Sequence, residues 1–172
     1  LLNNIPVLNN RFDVPVWWDC NTANPMQPLP DWYATWRCKS IRSFKYHLVS
    51  LNLTENSVDF PEKLRWSASA DPGTIPASWT PLPENDAGDN ILAEELGGII
   101  DGCPLHGAFC IYRAHSMALM SYVGGQFVFQ FREVFPTQGV QNLNCVVEAR
   151  GKHWVFADDD VIVHDGNSLT SI

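Results

Sequence analysis

The chain has 172 residues, 45% of them hydrophobic, with 7 Trp, 9 Phe and 4 Tyr against 11 Lys plus Arg. That composition excludes a disordered tail and supports a packed core in about one domain. A formal net charge of -8 argues against a free-standing, nonspecific nucleic-acid binder. No apolar run has the ~18 residues of a membrane-spanning helix, and no signal-peptide pattern opens the chain, so a soluble protein without membrane contact is expected.

Residues 1–35 are rich in Pro and Asn, and "NPMQPLPDW" is incompatible with a regular helix or a central strand, so an extended N-terminal arm or loop is predicted. From residue 36 to 172 the texture is that of strands. In "FKYHLVSLNL" apolar residues recur with period two at 44, 46 and 48, then at 49, 51 and 53. The slip between Leu48 and Val49 calls for a bulge or a strand buried on both faces. "KLRWS", after the turn "TENSVDFPE", reads as the returning strand.

Residues 70–90 hold four of the 12 prolines and read as a long insertion, of the kind that is functional or held by a neighbouring subunit. A short helix is predicted over "ILAEELGG", capped by Asp89 or Asn90 and stopped by Gly97. Beyond it "GAFCIYR", "SMALMSYV", "QFVFQF", "NCVVEA", "HWVFA" and "DVIVHD" have strand length and composition and are separated by Gly, Asn or Asp. In "QFVFQF" the phenylalanines at 127, 129 and 131 would share one face.

An internal echo sharpens this reading. "FCIYRAHSMALMSYVGG" and "WVFADDDVIVHDGN" share the order strand, polar turn, strand, glycine, at the spacing of β-propeller blades. The expected fold is therefore all-β: a β-propeller-like array of short antiparallel meanders, incomplete as a ring, with long Pro-rich loops and little helix. The start on Leu1 fits a processed or partial chain.

Four groups of residues are candidates for chemistry. Asp158, Asp159 and Asp160 lack the alternate acids, Gly and terminal Glu of a calcium loop, so a solvated hairpin tip is expected; "HDGNS" reads as a tight turn. Cys103, His106, Cys110 and His115 have short thiol and imidazole spacing but not the order of known zinc fingers, and buried structural cysteine is the expectation. Ser116 beside His115, Cys145, and His164 beside Asp165 supply residue types for nucleophilic catalysis without any recognisable motif. No catalytic residue, metal or cofactor is expected. The five cysteines are an odd number at irregular spacings, which points to a reducing compartment. Trp17, Trp18, Trp32, Trp36 and Trp79 lie in Pro-rich segments and are candidate subunit-interface anchors; they could equally pin those loops onto the sheet or bind carbohydrate.

The runs "WRCKSIRSFKYHLVSLNL", "LRWSASADPG", "GGIIDGCPLHGAFCIYRAHSM", "GGQFVFQFREVF" and "HDGNS" give residues 36–172 a resemblance to the nozzle, or hub, proteins in the tails of short-tailed bacteriophages, which include the packaged-DNA stabilisation proteins. The resemblance implies a noncatalytic β-propeller-based subunit of the virion tail, assembled in the host bacterial cytoplasm. It implies a homo-oligomeric ring, a hexamer by analogy, that links adaptor and portal-side proteins to the tail tip. Double-stranded DNA would pass through without sequence-specific contact, which an acidic chain suits. The rival readings are a carbohydrate- or ligand-binding β-domain using the loop tryptophans, and then a propeller hydrolase.

Overall fold

The computed structural model describes residues 1–93, 97–125 and 127–172. These residues are all-β, in four antiparallel sheets of which none closes on itself. No helix occurs among them. Backbone packing divides the chain into two units, Leu1–Leu92 and Ala93–Ile172.

In the first unit, the Pro-rich N-terminal segment contains three two-residue strands, β1 (Val7–Leu8), β2 (Val16–Trp17) and β3 (Gln27–Pro28), in one small sheet. Pro28 is tolerated because β3 is an edge strand, where a missing N–H costs no ladder bond. The second sheet runs in sequence order through β4 (Trp36–Phe44), β5 (His47–Glu55), β6 (Val58–Trp66) and β7 (Gly88–Ile91). Asn56 and Ser57 turn β5 into β6, both with positive φ (52° and 66°), which is the twist a two-residue hairpin requires.

The phase slip at residues 48 and 49 has a clear cause. Phe44 ends β4 and Tyr46 sits exposed in the turn, so the first period-two run crosses a hairpin. β5 itself is buried on both faces from His47 to Leu51. The bulge falls three residues later, between Leu51 and Leu53, where Asn52 adopts a φ of 57°.

The predicted helix is corrected at its start: Asp89, Asn90 and Ile91 belong to β7 and pair with Arg65, Leu64 and Lys63. Residues 94–96 of that segment lie outside the described residues. Two contacts favour the strand. Gly88 lets the Trp66 ring lie where a Cβ would come within 2.4 Å of it, and Asp89 meets the cations of β6.

In the second unit, β8 (Ile99–Leu105), β9 (Ala108–Arg113), β10 (Met117–Tyr122) and β11 (Phe129–Phe135) form one meander. A second follows through β12 (Val146–Ala149), β13 (Lys152–Phe156), β14 (Val161–His164) and β15 (Leu169–Ser171). The sequence echo thus maps onto the central hairpins, β9–β10 and β13–β14, of two consecutive sheets. Successive four-stranded meanders in strict chain order are the build of propeller blades. Sequence patterning missed β4, β7, β8 and β15, and the short β1 to β3 within the segment read as an extended arm or loop. Phe127 precedes β11 and is exposed, so the phenylalanine face begins at the buried Phe129.

Each unit has a core. Leu2, Leu29, Trp32, Trp36, Leu48, Leu53 and Trp79 build the first. Leu105, Cys110, Tyr112, Met117, Leu119, Val140, Val155 and Ile162 bring the two sheets of the second together. Gly139 is fixed by a close approach, since a Cβ there would stand 2.0 Å from the Ala114 carbonyl oxygen.

Candidate functional site: a buried tyrosine–histidine cluster

Strand alternation brings polar side chains into the core of the second unit. On β13, His153 and Val155 point inward while Lys152, Trp154 and Phe156 are exposed. On β14, Ile162 and His164 are the buried pair. Cys110 and Tyr112, two apart on β9, share the face that meets them.

The hydrogen bonds of this cluster fix every proton. The His153 Nε2 lies 2.8 Å from the Pro104 carbonyl, which can only accept, so Nε2 carries the proton and Nδ1 a lone pair. The Tyr112 hydroxyl donates to that Nδ1 at 2.5 Å. At the other end Gly166 N–H donates to His164 Nδ1 at 3.2 Å, which leaves the proton on Nε2 to be donated to the Tyr112 oxygen at 2.8 Å. The chain of donors therefore runs from Gly166 through His164, Tyr112 and His153 to Pro104, with no break.

All of these groups are neutral at pH 7. Burial lowers the pKa of His164 to about 4, with His153 adding to the effect, and burial likewise lowers that of His153. Burial raises Tyr112 well above its ordinary value and the Cys110 thiol to about 12. A reactive thiolate or a general base poised near neutrality is thus not what this cluster supplies; it joins two sheets through a satisfied polar network.

The sequence-predicted sites fare differently. Cys103 and Cys110 are cross-strand partners on β8 and β9, but His106 sits exposed in the intervening turn and His115 is exposed beyond β9. The four residues do not converge. Cys110 instead meets His153 and His164. Ser116 is buried beside the exposed His115, and Cys145 is half-buried.

Asp158, Asp159 and Asp160 form the tip between β13 and β14. Asp160 is engaged by Val161 N–H and the Ser171 hydroxyl. Asp165 accepts from Asn167 and Ser168 N–H, and these bonds pull its pKa down to about 2.

Among the tryptophans, Trp79 is fully buried and Trp32 meets it edge-on at 4.8 Å and Trp36 at 6.0 Å. Asp31 accepts from Ser78 Oγ, Trp79 N and Thr80 N, holding the 70–90 insertion to its own unit. Trp32, Trp36 and Trp79 therefore pin loops within the unit. Trp17 and Trp18 are half-buried, and Trp18 is tied to the Asn21 and Asn24 carbonyls.

His153 and Tyr112 were not singled out from sequence. The available signal was a polar residue falling on the apolar face of each strand, Tyr112 with Cys110 and His153 with Val155, which demands a buried partner. No family model and no curated protein matches the chain. Fold and site together define an all-β, propeller-like array of four-stranded meanders, with a neutral hydrogen-bonded cluster in the core of its second unit.

Proposed function

We propose that this chain is a noncatalytic structural subunit of a bacteriophage tail nozzle, assembling as a ring around the DNA channel between adaptor and tail tip. The observation that carries the reading is the uncovered outer face of the last meander. Val147, Trp154 and Phe156 are 57%, 44% and 54% exposed. Val147 pairs with Trp154, Trp154 with Val163, and Phe156 with Val161. A single apolar surface thus crosses three strands, as expected of a blade whose neighbour belongs to an assembly. Trp17 and Trp18 remain candidate anchors on the N-terminal segment. The neutral, satisfied cluster supports a structural role over a hydrolytic one.

The carbohydrate reading needs exposed rings on the loops, and Trp79, Trp32 and Trp36 offer little surface for stacking. The test is the native mass of the assembly by mass photometry. A discrete ring, sixfold on the phage analogy, supports the proposal. A monomer that stays monomeric with Trp154 intact and beside tail partners overturns it.

A further inference from the structure

The cluster around Tyr112 carries a second chemistry. One donor atom each from Cys110, His153 and His164 lies within 4.8 Å of the others, and all three residues are buried. They reach the same point from β9, β13 and β14, and so from two sheets. One thiol and two imidazoles are a donor set for zinc, which at Zn–S of about 2.3 Å and Zn–N of about 2.0 Å holds tetrahedral ligands roughly 3.5 Å apart. Side-chain rotations of well under a bond length each would close the present spacing.

We propose that Cys110, His153 and His164 bind a thiophilic cation of the Zn²⁺ class, which staples the β8–β11 sheet to the β12–β15 sheet. His153 is already set for it: its Nε2–H is held by the Pro104 carbonyl, so the Nδ1 lone pair faces the cluster, the orienting contact that metal-bound histidines commonly have. Burial keeps the Cys110 thiol protonated, and a bound dication supplies the counter-charge that removes that proton. The S–Zn bond forms as the S–H bond breaks, and the proton leaves to solvent.

Tyr112 is displaced from His153 Nδ1 but remains within hydrogen-bonding reach of Cys110, where its hydroxyl donates to the thiolate. The site would keep one positive charge, and buried Asp101 is near enough to act electrostatically on Tyr112. Three hydrogen bonds are given up, the two between the Tyr112 hydroxyl and the imidazoles and one at His164. His164 must move its proton from Nε2 to Nδ1, which breaks the bond from Gly166 N–H, at 3.2 Å the longest of the network.

This inference stands apart from ring assembly and is tested on the full chain, reduced and metal-free, with the exposed thiol removed as Cys20→Ser. Co²⁺ should bind with one equivalent, giving thiolate charge-transfer absorption and the intense visible bands of tetrahedral cobalt, and Zn²⁺ should displace it. Cys110→Ser should abolish the charge-transfer band. Tyr112→Phe, which alters only a neighbour of the ligands, should keep the band and weaken binding by about 10-fold. Should Cys110→Ser fail to fold, the parent chain decides: stoichiometric Zn²⁺ must slow amide exchange in β9, β13 and β14, reversibly with chelator. Absence of a saturable cobalt spectrum or of that protection overturns the proposal. So does an unchanged spectrum in folded Cys110→Ser, which would assign the ion to other thiols.

Discussion

Two polar networks, one in each unit, are built in opposite ways. In the first, Arg65 and Lys63 on β6 face Glu55 and Asp89: Arg65 Nη2 is 3.0 Å from Glu55 and 2.9 Å from Asp89, and Lys63 Nζ is 2.9 and 3.3 Å from the same two. The Arg65 guanidinium also lies 4.1 Å over the Trp36 ring and donates to the Trp79 carbonyl. This network is charged, reaches the surface at Asp89, and ties the sheet to the pinned insertion. In the second unit the Tyr112 cluster is neutral and wholly buried. This charged network can lose Arg65 because Lys63, and water at Asp89, stay beside the carboxylates, whereas the directional neutral chain is orphaned wherever it is cut.

The largest expected effect follows from cutting that chain. Tyr112→Phe leaves His153 Nδ1 without a donor and His164 Nε2–H without an acceptor, both buried, at a cost of about 3 kcal/mol for the two together. Amide exchange in β13 and β14 should accelerate by about 100-fold for that cost. Replacing the three residues together, as Tyr112→Phe with His153→Leu and His164→Leu, should recover much of the loss, since no polar atom is then stranded. A triple variant weaker than the single one would mean that shape, and not hydrogen bonding, fills this core.

Arg65→Met should cost less, about 2 kcal/mol. Lys63 stays within reach of both carboxylates, and the 38% exposed Asp89 side chain can turn to water. Six of the 7 tryptophans lie in the first unit, so intrinsic fluorescence reports its unfolding. Raising salt should narrow the gap between Arg65→Met and the parent while leaving the Tyr112→Phe gap unchanged. Equal salt responses in the two units would erase the distinction.

How legible these features were depends on the kind of physics involved. The strands of "HWVFA" and "DVIVHD" were readable because alternation is a local property of the backbone, and the echo located both central hairpins. β7 was misread because "GDNI" has helix-cap residues, and its strand state rests on contacts with Trp66 and Arg65 more than 20 residues away. The cluster was illegible as a unit: Tyr112 lies 41 residues from His153 and 52 from His164, and only sheet packing joins them. Composition placed the Cys103, His106, Cys110 and His115 group together, yet the β8–β9 turn sends His106 to solvent. The loop tryptophans carried a real ambiguity that only burial could resolve, and Trp79 at 0% exposure resolves it inward.

The smallest effect concerns Asp31, at the surface of the first unit. Burial pushes its pKa upward, but the bonds from Ser78, Trp79 and Thr80 outweigh that and lower it below the ordinary 3.8. A depressed folded pKa contributes stability that is fully present above the unfolded value and is lost as pH falls through the folded one. Asp31→Asn keeps the side-chain shape but removes the charge-assisted acceptor, so it should destabilise the first unit by under about 1 kcal/mol near neutrality, given solvent screening. The difference from the parent should shrink as pH drops below 3.8, where the parent protonates too. Fluorescence-detected unfolding at pH 6 and at pH 3 measures it. A gap that stays constant across that range would mean that the charge of Asp31 adds nothing, and no gap at either pH would mean that the Pro-rich insertion is held without the carboxylate.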